Sequence, residues 1–308
     1  MDREIPFHAD ELAAQRLAGG GSGGGGIRDF MPDQHRSFFE LLPYLFAGTS
    51  DVGGWPMATM LTGPAGFVHS PDPVRLRIDA LPDSNDPATG TFDQGADIGL
   101  LGIDFSTRRR NRANGTITGM DAGGLTVSVR QSFGNCPQYI QGRVAHAGKA
   151  APAEAEPLAG LDDEARAMIA RADTFFVASR SRPQNGEAGG PDISHRGGRP
   201  GFVSVDGDTL TVPDFRGNRY FNTLGNLLGE PRAGLLFVDF EHGDLLQLQG
   251  VTEIDWSGTA GRLIDGAERS WRFHAVRGWR RRAASSLRWS FVDYSPFTQR
   301  TGIWRKAG

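Results

Sequence analysis

SHRGGRPGFVSVDGDTLTVPDFRGNRYFNTLGNLLGEPRAGLLFVDF, residues 194–240, reads as a strand, a turn, a second strand ending on Asp214, a polar segment, a short helix and a third strand. Short runs of β-branched and aromatic residues between Gly, Pro, Asp and Asn carry the strand-and-turn signature. Within 218–229, Phe221, Leu224, Leu227 and Leu228 recur at helical spacing behind Asn218, which can serve as N-cap. The same order occurs once before. GPAGFVHSPDPVRLRID at 63–79 matches GRPGFVSVDGDTLTVPD at 198–214, and DIGLLGIDF at 97–105 matches RAGLLFVDF at 232–240. Upstream, YLFAGTS at 44–50 answers TFFVASR at 174–180; downstream, RRRNRANGTIT at 108–118 answers LLQLQGVTEID at 245–255. Internal similarity at this scale predicts a duplication, and the strand content makes the fold mainly β with minor α, as two tandem antiparallel barrels.

Working outward, Gly19–Gly21 and Gly23–Gly26 flank Ser22 in a stretch that cannot bury apolar area, so residues 1–30 are expected to form a flexible N-terminal arm. The first half then spans 31–145, the Ala-, Pro- and Gly-rich HAGKAAPAEAEPLAG at 146–160 is the linker, and the second half spans 161–308. Besides 218–229, helices are predicted at 33–42 and at 162–171, where the Asp162-Asp163 carboxylates suit a helix N-terminus. At 308 residues, with 38% apolar and 22% charged, the composition is that of a globular chain. It has no run of ~20 apolar residues to cross a bilayer and no signal-peptide core, so a cytoplasmic location and no membrane partner are expected. Cys136 is the only cysteine, which rules out an intrachain disulfide and a cysteine metal cluster; no metal site is predicted. A net charge of −3 gives no attraction to phosphate polymers. Arg108, Arg109, Arg110 and Arg112 are nevertheless a dense basic cluster, readable as a solvated surface or as a contact for a small anion.

FRGNRYFNT at 215–223 combines charge (Arg216, Arg219), short polar side chains (Asn218, Asn222, Thr223) and a glycine, Gly217, that lets the backbone come close. Those are the groups a phosphate needs at a helix N-terminus, although a plain turn with surface arginines has the same pattern. His195 beside Gly197-Gly198 reads equally as a turn residue, and Cys136 as a buried thiol. Trp289, Phe291, Tyr294 and Phe297 read as core and interface.

In order and spacing, residues 194–240 resemble the core motif of the pyridoxamine 5'-phosphate oxidase-like FMN-binding split-barrel family. TRRRNRANG at 107–115, QSFGNCPQYIQ at 131–141 and SPFTQRTGIWR at 295–305 resemble its long, two-barrel, flavin-nucleotide-binding members. The resemblance implies split β-barrels and an FMN cofactor. It puts Arg216, Asn218, Asn222 and Thr223 at the FMN phosphate and Ser194, His195 and Arg196 along the isoalloxazine edge. In dimeric members the neighbouring subunit adds contacts from the strand after the G-L-L-like strand. Aligning Gly115 with Gly250 puts Arg110, Asn111 and Arg112 there, so the first half stands in for the partner subunit. DALPDSNDPATGTFDQGA at 79–96 has no arginine where the second half has its phosphate segment, so one FMN per chain is expected. Arg300 and Trp304 could close one side of the cleft. The implied activity is an FMN-dependent oxidoreduction with an unidentified substrate, catalytic residues unassigned. A flavin-holding or sensing module without turnover, or a split-barrel binder of haem or a deazaflavin, is the alternative. Implied partners are a small-molecule substrate or an electron donor such as NAD(P)H, an electron-transfer protein and a second copy of the chain, with no nucleic acid.

Overall fold

The computed structural model describes residues 6–151 and 154–304; residues 1–5, 152–153 and 305–308, which include Asp2, Glu4, part of the linker and Arg305, lie outside the described residues. The first half carries β1 (Tyr44–Ser50), β2 (Pro56–Thr62), β3 (Val68–Asp72), β4 (Arg75–Ile78), β5 (Asp97–Asp104), β6 (Arg109–Asp121) and β7 (Gly124–Gly134). They lie in the order β2-β1-β5-β6-β7-β4-β3. After β8 (Gly142–Ala147) and β9 (Glu156–Leu158), the second half carries β10 (Thr174–Arg180), β11 (Pro191–Gly197), β12 (Ser204–Asp206), β13 (Thr209–Phe215), β14 (Arg232–Val238), β15 (Leu245–Asp255) and β16 (Ala267–Arg281). Their order is β11-β10-β14-β15-β16-β13-β12, the first half's order over again.

The repeat extends to register. Phe46 faces Leu101 as Phe176 faces Leu236. The β6–β7 ladder slips between Asn114 and Gly115, and the β15–β16 ladder slips between Gln249 and Gly250. A Cβ at Gly115 would lie 1.9 Å from the Ser128 carbonyl oxygen, and one at Gly250 2.2 Å from that of His274, so the bulge admits only glycine. The two glycines used to align the halves are therefore one structural device used twice.

Strand side chains alternate, and here both faces are dry. Leu45, Ala47 and Leu100 fill the first barrel; Phe175, Val177 and Leu235 fill the second. The intervening Tyr44, Phe46, Leu101, Phe176, Ala178 and Leu236 form a third core between the barrels, where Phe46 stacks on Phe176 at 3.6 Å between centroids. Burial on two sides explains why YLFAGTS and TFFVASR are continuous apolar runs without alternation. β17 (Leu287–Asp293), from the C-terminal end, pairs with β8, from the end of the first half, and ties the halves together.

The N-terminal segment departs from the expected flexible arm. Ala9–Leu17 forms helix α1, capped by His8, and packs against the helix of the phosphate segment. Asp10 pairs with Arg182, Asn185 donates to Asp10, and Phe7 and Ile27 pack on Phe133. The polyglycine limits what that stretch buries by itself, but the flanking charged and aromatic residues anchor both of its ends. The linker also differs from an irregular tether: Glu156–Leu158 adds to the edge of β16. The remaining α-helices among the described residues are α2 (Asp33–Glu40), α3 (Asp163–Arg171, capped by Asp162), α4 (Asn222–Gly229) and the single turn α5 (Ala260–Leu263).

Candidate functional site

The segment between β13 and α4 is shorter in helix than predicted. α4 starts at Asn222, because Arg219 and Phe221 take left-handed backbone (φ 61° and 63°). Asn218 is thus no helix cap; its Oδ1 accepts from the Tyr220 N–H and its amide donates to Asn135 Oδ1 at 2.8 Å. No side chain caps α4, so its first-turn N–H groups are left to face the cleft lined by Asn222, Thr223 and Leu224. Left-handed non-glycine residues cost about 1–2 kcal/mol each and concentrate at ligand sites.

That cleft encloses about 610 Å³, counting space open at its mouth, and both halves build it. From the second half, Ser194, His195, Arg196, Asn218, Asn222 and Thr223 line it; from the first half come Arg110 and Arg112. Two of the expected residues stand outside. Asn111 lies between Arg110 and Arg112 on β6, and strand periodicity turns it to the other face, where its Oδ1 lies beside Gly134. Arg216 is exposed and does not line the cleft; only its carbonyl is engaged, by the Tyr139 hydroxyl. Arg219 lines the mouth but spends its guanidinium on the carbonyls of Ala18 and Gly20, anchoring the N-terminal segment.

Alternation on β11 puts Ser194 toward α4, where its hydroxyl meets that of Thr223 at 2.6 Å, and puts His195 beside Phe176. Arg112 reaches across from the first half to Asp192 (2.7 Å) and Ser194 and stands over the Phe133 ring. Arg110 donates to the Cys136 carbonyl (3.0 Å) and to His195 Nδ1 (3.2 Å) and has no carboxylate partner among the described residues. Burial, then the neighbouring Arg112, push its guanidinium down to about 9. Burial and the charge of Arg110 hold His195 well below the usual imidazole range, so its ring is neutral. An arginine can only donate, so Nδ1 is the acceptor and the ring proton sits on Nε2, which is buried without a partner.

Sequence reasoning missed Asp192, Asn135 and the triad Arg196–Asp214–Arg269, in which the Asp214 carboxylate takes a 3.0 Å hydrogen bond from each arginine. Asp214 was visible as the residue ending a strand in both halves; Arg269, on β16, carried no local signal. Nor was Glu11 anticipated. Its buried carboxylate, pushed up to about 8 by desolvation, accepts from the Asn222 amide and the His8 N–H.

The counterpart of this cleft in the first half is closed. From Thr59 to Gly115 the first half lies against Ser194 to Gly250 without insertion, which sets Met60 at the place of His195, Leu61 at Arg196, Leu245 at Arg110 and Gln247 at Arg112. Asp86 fills the space, accepting from Gln247 and Arg281 at 2.9 Å each, from the Ala88 N–H at 2.8 Å and from Thr59. An internal carboxylate thus sits where the other half keeps an open cleft.

Among the described residues no group of His, Cys, Asp and Glu could hold a metal ion, and no helix is long and apolar enough to cross a membrane. Residues 161–280 match the family model described as Pyridoxamine 5'-phosphate oxidase. Over that stretch, most of its second half, the chain is similar to the pyridoxamine 5'-phosphate oxidase family. None of the curated proteins compared with it matches significantly. Among solved structures it is similar to HupZ of Group A Streptococcus (17% identity, 37% of this chain and 89% of that one, TM-score 0.29). A putative pyridoxamine 5'-phosphate oxidase of Lactobacillus delbrueckii also matches (14% identity, 34% and 95%, TM-score 0.28). So does a Clostridium acetobutylicum protein related to general stress protein 26 (17%, 42% and 92%, TM-score 0.28).

Proposed function

We propose that this chain binds one FMN in the cleft between its halves and acts as an FMN-dependent oxidoreductase on a small molecule, in a reducing cytoplasmic compartment. The observation that carries the reading is Arg110: a half-buried cation without a carboxylate partner among the described residues, with Arg112 and Arg196 also lining the cleft, that the first half extends into the second half's site. A buried unpaired charge is costly, and an anionic ligand offsets that cost. The donor set fits a phosphate with an electron-rich ring. The first turn of α4, Thr223 and Asn222, itself held by Glu11, form the phosphate end; Arg110 and Arg196 balance negative charge on the ring, and the unpartnered His195 Nε2–H is left to donate to it. Beside it, Tyr139, Phe202, Pro213 and Phe215 line one side of an adjoining compartment, about 420 Å³ counting its open side, that shares Arg110, His195 and Arg196 with the cleft. These side chains exclude water and offer a planar substrate a surface. When bound, FMN supplies two-electron transfer. The electrons come from NAD(P)H, from an electron-transfer protein or from the substrate itself, and a second copy of the chain is a further partner.

The test is the absorption spectrum of the purified protein, with heat-released cofactor quantified against protein and NADH or NADPH turnover followed under air. One FMN with turnover supports the reading. One FMN without turnover reduces the chain to a flavin-holding module, and a haem or deazaflavin spectrum replaces the cofactor.

A further inference from the structure

A second cavity shares no residue with the cleft and encloses about 1340 Å³ including its open side. It lies where α3, the start of β10, the end of β14 and the β8–β17 pair meet. Its floor is apolar and dry: Val238, Phe240 and Trp289, with Phe240 and Trp289 edge to face at 5.3 Å. Arg143 and Asp173 are both buried in its wall, paired at 2.6 Å through Nη2. The guanidinium lies 4.2 Å from the Phe240 centroid and 5.6 Å from that of Phe291.

Three polar atoms on residues lining this cavity have no hydrogen-bond partner among the described residues, Arg143 Nη1, Thr174 Oγ1 and Trp289 Nε1. Buried donors are rarely left unmade, and those of Arg143 and Thr174, on neighbouring wall residues, fit an oxygen acceptor that the chain does not supply. The rim sets two arginines, Arg171 and Arg288, beside two carboxylates, Asp239 and Glu241. Arg171 and His242 share the single carboxylate of Asp239, Arg288 bonds only to carbonyls, and His146 and Glu241 complete the edge. Phe291 is half exposed over the opening. An aromatic floor with spare donors, beside the carboxylate-free guanidinium of Arg288, suits a flat apolar body that carries one anionic group.

We propose that this cavity is a second ligand site, for a small aromatic acid, independent of the cleft that holds the proposed FMN. Aromatic rings take the body of the ligand while Thr174, Arg143 and Arg288 take its acid group.

The experiment uses the intact protein, titrated with anilinonaphthalene sulfonate as a fluorescent aromatic acid, with and without FMN. Saturable uptake of one dye per chain is expected, displaced by naphthoate but not by FMN. Phe291→Ala, at a half-exposed position, should weaken uptake about tenfold by loss of the ring contact. Thr174→Val, nearly isosteric, should weaken it about fivefold or more by loss of the hydroxyl donor, with the melting temperature unchanged. Displacement by FMN, equal competition by uncharged naphthyl methanol, or affinities within about twofold of the parent in both variants would overturn the proposal. Sedimentation as a dimer that Phe291→Ala dissociates, with no dye uptake by the parent, would assign the patch to a second copy and overturn it as well. Because the dye is read without FMN, failure of the cofactor reading leaves this result interpretable.

Discussion

Replacing Arg110 by Met separates a ligand-binding arginine from a structural one. The side chain makes two hydrogen bonds, to the Cys136 carbonyl and His195 Nδ1, and no ion pair. Losing one charge-assisted bond to an anionic ligand costs about 1.5–3 kcal/mol, so FMN affinity should fall roughly tenfold to a hundredfold. Stability should move the other way. Exchanging a half-buried, uncompensated cation for an apolar side chain of similar volume should be neutral or stabilising by about 1–2 kcal/mol, or a rise of a few degrees in Tm for a chain of this size. A pH signature accompanies it. Burial lowers the folded guanidinium to about 9, below its value in the unfolded chain. The unfolded chain therefore binds more protons above that pH, and cofactor-free stability climbs as pH rises past about 9 in the parent and not in Arg110→Met. The assay is FMN titration by fluorescence quenching beside calorimetric melting of cofactor-free protein. A variant that melts lower and binds FMN as tightly as the parent would refute the reasoning, since Arg110 would then be a strut of the barrel interface.

Glu11→Gln should stabilise the protein above pH 8 and do little near pH 4: the folded carboxyl is raised to about 8, so the parent loses stability as pH climbs from the ordinary carboxylate range to that value. Melting temperature against pH measures it, and parallel curves for parent and variant would count against a buried, protonated Glu11. Flavin released by heat should amount to one equivalent per chain, and Asp86→Ala should cost up to about 3–5 kcal/mol by leaving the buried Arg281 with only the half-exposed Asp83, without opening a second flavin site. Two equivalents in either protein would contradict the closed counterpart. Gly99→Ala and Gly234→Ala put a Cβ 2.9 Å and 2.5 Å from main-chain atoms of the opposite half and should each cost about 1–3 kcal/mol. Gly119→Ala, with nothing within 4 Å, is the control, and equal melting of all three would mean that the barrels do not meet there.

What the sequence alone determined is whatever repeats or alternates locally. Two matched sets of G-x-x-G-F-V and G-L-L-x-x-D-F segments were sufficient for two equivalent sheets, because strand and turn propensities act over a few residues and a duplication writes them twice. Arg110 and Arg112 were found through the Gly115–Gly250 alignment, which works because a bulge that excludes a Cβ leaves a glycine at the same place in both copies. Reading three consecutive residues as one group went wrong at Asn111, since a strand shows only every second side chain to one side. Arg216 was read with Asn222 and Thr223 as a phosphate ligand in FRGNRYFNT, yet left-handed backbone at Arg219 and Phe221 sets the loop's course and leaves Arg216 in solvent. Only the tertiary structure decided which charges are compensated. Arg112 meets Asp192, Arg196 and Arg269 share Asp214, Glu11 comes from a segment expected to be flexible, and of the arginines lining the cleft Arg110 is the one that meets no carboxylate among the described residues. Those pairings join residues tens to hundreds of positions apart, and the free energy of a buried charge depends on what lies within a few ångströms in space, which no local pattern encodes.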